Sequence, residues 1–486
     1  MSRLALAATL ILSGYAQSAL AQPTQTQPAG LQAGAARVEI TPPASALGPG
    51  DVLRDSLFVR AIVIANAESC AVLVGADVVA LREENARSAI ARAARATSCP
   101  PENFVLSTTH THSGGAGPMR ASKPDGRAVE EAIVKAIVDA KAAMSPARIG
   151  YGTTQVNLNV NRDLFTGNHW VQGPNPAGAS DKTLSVLELL GDDDLPIGVY
   201  LNYAMHPINF NMAGVVSADF AGEASRYIER RYGPATVAIF AQGASGDQNP
   251  ILTRPLNKLS RIRTGAPEAG DMRLTAPPPW QPNAEGAEAM RRRFAALGRP
   301  VPADRRAAYL AAVAEVGEIV SATGALLGES AIGVMRYQIP SRARRAVIRG
   351  VSALIQCPGR DRQDQADPVR ENALPPYADG APVEIRVGML RIGDIYVSTV
   401  NGEVYSEIAL RLKREAPVAK LMMTSLANGW ANSGYIYSNA ASPYLTFQVI
   451  GSRLKPGCAE DRIVGESLSM IDALSGKTAD MPPVGK

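Results

Sequence analysis

Residues 104–117 read FVLSTTHTHSGGAG, a short strand-forming run that ends in a His-x-His pair and then in glycines. Upstream of it, Phe58 to Ala65 and Cys70 to Val79 have strand character. Between them and the histidines, Glu84 to Thr97 carries helical spacing and good helix formers. Downstream, Arg127 to Met144 reads as an amphipathic helix, followed by strands at Arg148 to Asn157, Ser185 to Leu190 and Ile197 to Ala204. A helix at Gly222 to Arg231 and a strand at Val237 to Gln242 come next. The last third returns to strands over Val383 to Val400, a helix at Val404 to Arg414 and a strand at Lys420 to Ser425. Strands and helices alternating in this way predict an α/β (layered α+β) fold of mixed β-sheets flanked by helices.

The two ends of the chain read differently. Arg3, the apolar run Leu4 to Leu12 and the small residues Ala19-Leu20-Ala21 form a signal peptide over 1–21, and export to the periplasm or medium is expected. Residues 22–34 are polar and rich in Pro, Gly and Gln, a disordered lead-in. A single domain is expected over 35–480, interrupted at about 252–302 by an excursion that contains TAPPPWQP and leads into a helix at Asp304 to Leu327. No later run reads as long and apolar enough to be a stable membrane anchor. A net charge of +4 over 486 residues argues against nucleic acid as a partner. The oligomeric state is not legible. Four cysteines in an exported chain suggest two disulfides, with three possible pairings. Cys70 and Cys99 flank one strand–helix unit while Cys357 and Cys458 lie in the later half, which favours 70–99 and 357–458.

The chain has only four histidines, and three of them stand at strand ends. If the segment is extended, His110 and His112 point to the same side and face one site. The glycines that follow let backbone approach a metal or substrate. His206 follows the apolar strand GVYLNYAM. Imidazole is the commonest metal ligand, so the three together point to a metal site. His169, in the polar GNHW, belongs to no motif and reads as a surface or substrate-loop residue.

These segments, taken in order, resemble the neutral ceramidases. STTHTHSGGAG resembles their histidine-bearing loop, and NYAMHPINF the segment with a second zinc histidine. SADFAGEASRYIE, AQGASGDQNP, VNGEVYSEIALRLK and LANGWANSGYIYS follow in the family's order, as ARVEITPPA and DSLFVRAIVI do near the start. The resemblance covers about Ala36 to Lys455 and implies a neutral-ceramidase-like catalytic domain holding one Zn2+ per chain. Its ligands would be His110, His206, Glu403 and Tyr435, with Tyr437 as the rival for the last place. His112 would act beside the metal, Arg162 would hold the substrate carbonyl oxygen, and Asp219 would orient a zinc histidine.

Three departures qualify that likeness. Asn249 stands where the family's glycine-rich loop carries a serine thought to act in catalysis, and Ser245 does not match it. Phe447 falls where a second tyrosine is expected. Nothing resembles the family's C-terminal immunoglobulin-like domain. The expected function is therefore zinc-dependent hydrolysis of an amide, on a small-molecule or lipid-like N-acyl substrate other than ceramide, with Asn249 positioning rather than attacking. An esterase or lactonase on the same site, or a binding protein that retains the fold, are the alternatives.

Overall fold

Helices join parallel strands in three successive units, and these units place the site. A computed structural model describes residues 30–114, 126–211, 213–255, 258–264, 299–364 and 371–476. Strands Cys70–Ala76 and Phe104–Thr108 pair in parallel across helix Glu83–Thr97. Pro196–Tyr203 and Val237–Gln242 do so across Asp219–Tyr232, and Ile395–Val400 and Lys420–Thr424 across Ser406–Glu415. A tight turn would have returned each strand antiparallel, so every parallel pair needs its crossover.

The first two units lie in one nine-stranded mixed sheet, linked where Gln32 and Ala33 of the first strand meet Pro146 and Ser145. The third lies in a four-stranded sheet with the long hairpin Ile348–Arg362 and Tyr377–Ile392. Ile62, Leu73 and Val105 share one buried cluster with Leu187, Tyr200 and Ile239, and with Leu390, Val397 and Met422 of the second sheet. Both sheets thus face a common core. Helices Glu83–Thr97 and Gly126–Ala142 cover one outer face, Asp219–Tyr232 and Ala303–Tyr337 another, and Ser406–Glu415 and Ala459–Ser475 a third. The expected layered α+β fold is what forms.

Several boundaries move. Leu31 is buried and the first strand is Gln32–Glu39, so the expected lead-in to residue 34 yields its last residues to the sheet. Helix Ala303–Tyr337 runs well past Leu327 and, contrary to expectation, is long and apolar enough to cross a membrane by length and composition. Its packing accounts for that apolarity. Tyr309, Val313, Val316, Val320, Leu327 and Ala331 are buried at helical spacing against the domain, while Glu318 and Glu329 face outward. Gly324 and Gly328 let it approach helix Asp219–Tyr232, where a Cβ would stand 2.5 Å from the Cβ of Glu223 and 2.8 Å from the Tyr227 ring. Strand Ile348–Arg362 was not legible because Pro358 and Gly359 interrupt it. The sheet accommodates them with a shift of register between Cys357 and Gly359. The signal peptide and most of the 252–302 excursion lie outside the described residues. The excursion's near stem is anchored by Arg263, buried against Asp51 at 3.0 Å.

Both favoured disulfides are present, Cys70–Cys99 and Cys357–Cys458, with Cα separations of 5.2 and 5.7 Å. They close loops with sequence separations of 29 and 101. Opening the longer loop should cost about 5 kcal/mol, and opening the shorter one about 1 kcal/mol less. Denaturant titration of the two paired Cys→Ser variants checks this order, and thiol labelling of unfolded, unreduced protein should find no free cysteine.

Candidate metal centre

In a sheet with parallel strands, ligands bind beyond the carboxyl ends of those strands. Here those ends converge. His110 follows Phe104–Thr108, His206 follows Pro196–Tyr203, the turn 243–249 follows Val237–Gln242, and Glu403 follows Ile395–Val400. The Nε2 of His110 lies 3.2 Å from that of His206, and each lies 3.3 Å from Oε2 of Glu403. A tetrahedral zinc site with bonds of about 2.0–2.1 Å has ligand–ligand edges of roughly 3.3 Å, so this triangle has the size of one tetrahedral face. His112 joins the group, its Nε2 3.4 Å from that of His110. The three histidines form a cluster that can hold a metal ion. The Tyr435 phenol completes the surround: burial and then the Glu403 carboxylate raise its pKa, and the Arg162 guanidinium opposes them.

Electrostatics favours ligand-competent forms. Burial, reinforced by Arg162, pushes the His206 imidazole down to about 4, so it stays neutral at ordinary pH. Burial works against ionised Glu403, but His110 and His206 outweigh it and hold the carboxyl well below the usual range. Burial and the two neighbouring histidines likewise keep His112 neutral. His110, His206 and Glu403 are buried, whereas His112, Tyr435 and Asn249 are half-buried, which sets the open side of the site.

The sequence argument for His110 and His112 reached the right neighbourhood for the wrong reason. The strand ends at Thr108, and His110 has φ +65°, a left-handed conformation uncommon outside glycine. It is held there by Thr109 N–H to Ala76 O and His110 N–H to Val78 O, and by a 2.6 Å contact of His110 Nδ1 with Val79 O. Asp219 does not orient a histidine. His206 Nδ1 meets Ser245 O at 2.7 Å, while Asp219 accepts from the backbone and side chain of Asn209. Backbone carbonyls therefore set both imidazoles, a role any residue type can fill and no sequence pattern marks. Tyr437 is out of reach, its hydroxyl bonded to Leu454 O in the core behind. Among the described residues His169 bonds only within its own turn.

Arg162, Asn249 and Phe447 all border the cluster. Arg162 lies over the Tyr435 ring at 5.4 Å, donates to Gly246 O at 2.6 Å and reaches Asn249 Oδ1 at 3.4 Å. Its buried Nε has no hydrogen-bond partner among the described residues. The Phe447 ring packs edge-on against Tyr435, with centroids 6.0 Å apart. Sequence reasoning missed Asp247, whose carboxylate accepts from Ser406 N–H and Oγ–H and from Asn161. A charged residue inside a glycine-rich turn was the available signal.

Comparison with known proteins agrees with this architecture. A family model described as neutral/alkaline non-lysosomal ceramidase, N-terminal, matches residues 44–262. Neutral ceramidase B of Dictyostelium discoideum is 30% identical over 174 residues, 32% of this chain and 24% of that protein. Neutral ceramidase of Pseudomonas aeruginosa is 28% identical over 167 residues, 31% of this chain and 24% of that protein. The matched stretches thus span about a quarter of either relative. The crystal structure of the Pseudomonas aeruginosa neutral ceramidase superposes with a TM-score of 0.67 at 17% identity, covering 94% of this chain and 76% of that one. A ceramidase complexed with C2 gives 0.66 at 15% identity, over 94% and 77%. The stretch matched by the family model contains His110, His112 and His206, and the fold is shared over 94% of this chain, so the chain is similar to the neutral/alkaline ceramidases in its first half by sequence and almost throughout by fold.

Proposed function

We propose that this chain is an exported hydrolase that cleaves an amide (N-acyl) bond with one zinc ion held by His110, His206, Glu403 and Tyr435. The observation that carries the reading is the triangle of His110, His206 and Glu403, with edges of 3.2 and 3.3 Å, beside a neutral His112. Zinc in such a site supplies Lewis acidity and makes water acidic near neutral pH. The chain's own residues supply the rest. His112, uncharged and half-buried, takes a proton from the attacking water and passes it to the leaving nitrogen. Arg162 and the Tyr435 hydroxyl face the carbonyl oxygen as it gains charge. Asn249 keeps Arg162 in place through its Oδ1. Ceramide is a poor fit as substrate, since Asn249 and Phe447 replace polar hydroxyl groups expected beside the scissile bond.

Zinc content should be about one ion per chain by elemental analysis, and lost in His206→Ala and His110→Ala. Glu403→Gln should retain more, because the amide keeps an oxygen donor without the charge. Zinc unchanged in both histidine variants would reassign the site.

Asn249→Ala should slow hydrolysis of short N-acyl substrates by roughly 10²–10³-fold, the cost of disturbing one transition-state donor. Asn249→Ser decides between two mechanisms in side-by-side assays on ceramide and short N-acyl compounds. Wild type is expected to be active on the short amides and weak on ceramide. Activity that appears only with the serine would overturn the nucleophile assignment, and fast ceramide cleavage by wild type would overturn the specificity. N-terminal sequencing of exported protein should begin at Gln22.

A further inference from the structure

Helix Phe447–Gly451 begins without a side-chain bond from its own N-cap residue, Thr446. The acceptor comes instead from 76 positions away, where Glu371 Oε1 takes the Phe447 N–H at 3.2 Å. Asn372 fixes the segment that delivers it. The Asn372 N–H donates to Leu445 O at 2.9 Å, its Nδ2 donates to Trp170 O at 2.7 Å, and its Oδ1 accepts from Trp170 N–H. Its φ of +65° is a conformation that asparagine adopts more readily than most residues. Glu371 is therefore held in place through its neighbour's contacts with two separate segments.

This carboxyl stands on the open side of the metal cluster. Phe447, 37% exposed, packs its ring against that of half-buried Tyr435, and Arg162 lies over the same Tyr435 ring. Glu371 is half-buried as well. Burial pushes its pKa up to about 7, the Phe447 N–H opposes the rise, Asp163 adds to it and Arg162 opposes it. Among the described residues the Phe447 N–H is the one donor bonded to Glu371, and none reaches its Oε2. Capping alone does not call for a charge, since the amide oxygen of a glutamine would accept the same N–H. A half-buried carboxyl is costly beside an alkyl chain, so the part of an N-acyl substrate that passes Glu371 is its polar amine half. Phe447 has no hydroxyl to meet that half, and the polar contact at this corner falls to Glu371.

We propose that Glu371 is a specificity-determining residue, which accepts a hydrogen bond from a hydroxyl or ammonium group on the amine half of the substrate and excludes a carboxylate there. The assignment rests on the reading of the cluster as the site of an N-acyl amide. Asn249 and Phe447 describe which contacts that site lacks, whereas Glu371 describes one that it offers.

Three amides with one acyl chain test it: N-hexanoyl ethanolamine, the propylamide in which methyl replaces the hydroxyl, and N-hexanoyl glycine. Wild-type kcat/KM should favour the ethanolamide about tenfold over each of the others, through a charge-assisted bond in one comparison and like-charge repulsion in the other. Glu371→Gln should reduce the discrimination against the glycine conjugate to about twofold, with zinc content and thermal unfolding as in wild type. A carboxyl that serves only as a cap would not give that result, because the cap survives the change. Glu371→Leu should also erase the preference for the hydroxyl. Calorimetry of the three amides with His206→Ala reads the same order as binding, without turnover. Should wild type cleave none of them while His206→Ala binds them in that order, the hydrolytic reading fails and the assignment of Glu371 stands. Equal treatment of ethanolamide and glycine conjugate by wild type, undiminished discrimination in Glu371→Gln, or no saturable binding of any amide would overturn it. The first of these needs no variant, so it decides even if one fails to fold.

Discussion

Between Gly246 and the chain that carries Glu403 there is no room for a side chain. A Cβ at Gly246 would stand 3.0 Å from the carbonyl oxygens of Glu403 and Val404 and 3.1 Å from the Tyr405 ring. Gly246 N–H instead donates directly to Val404 O at 2.7 Å. The same turn receives Arg162 at Gly246 O, His206 Nδ1 at Ser245 O and His206 N–H at Gln248 O. One bare stretch of backbone therefore registers the second and third parallel units and strand Asn159–Phe165 against each other. If it were displaced, His206, Glu403 and Arg162 would lose their mutual spacing together. Ångström-level errors of that kind are costly for a positioned site.

The charges buried in this protein fall into two sets with different energetics. Arg60 bonds Glu229 at 2.8 Å and Asp77 at 2.9 Å beneath helix Asp219–Tyr232, all nearly inaccessible to water. Such a cluster fixes the helix on the sheet, and losing one member would leave the others buried without compensation. Around the metal cluster the logic is reversed. Burial holds the His206 and His112 imidazoles neutral while the Glu403 carboxyl is held ionised, the protonation states that metal ligation requires. The left-handed backbone of His110 belongs to the same economy of constraint. Strain of about 1–3 kcal/mol at such a residue persists only where surrounding hydrogen bonds over-determine it, as Ala76, Val78 and Val79 do here.

Much of the fold was legible. Strands such as Phe58–Ala65 and Val237–Gln242 agree with the sequence reading end to end, because apolar β-branched runs bounded by turns carry their own signal. The long helix was read short, since its glycines look like stops until the neighbouring helix that needs them is in place. Ala459–Ser475 was missed altogether, although Ile463, Met470 and Ile471 bury its inner face.

The sequence by itself singled out side chains that the fold brings together. With four histidines, and an ordered series of motifs, His110, His112, His206 and Glu403 could be named in advance. What it could not determine was how they are held. Carbonyls of Val79 and Ser245, not the carboxylate of Asp219, aim the imidazoles, and position along the chain cannot distinguish Tyr435 from Tyr437. Contacts made by backbone atoms are independent of residue type, and residues 96 and 197 positions apart meet only when parallel strands bring their carboxyl ends together. Those decisions belong to the tertiary structure, because only packing fixes the distance between segments whose local preferences say nothing about one another.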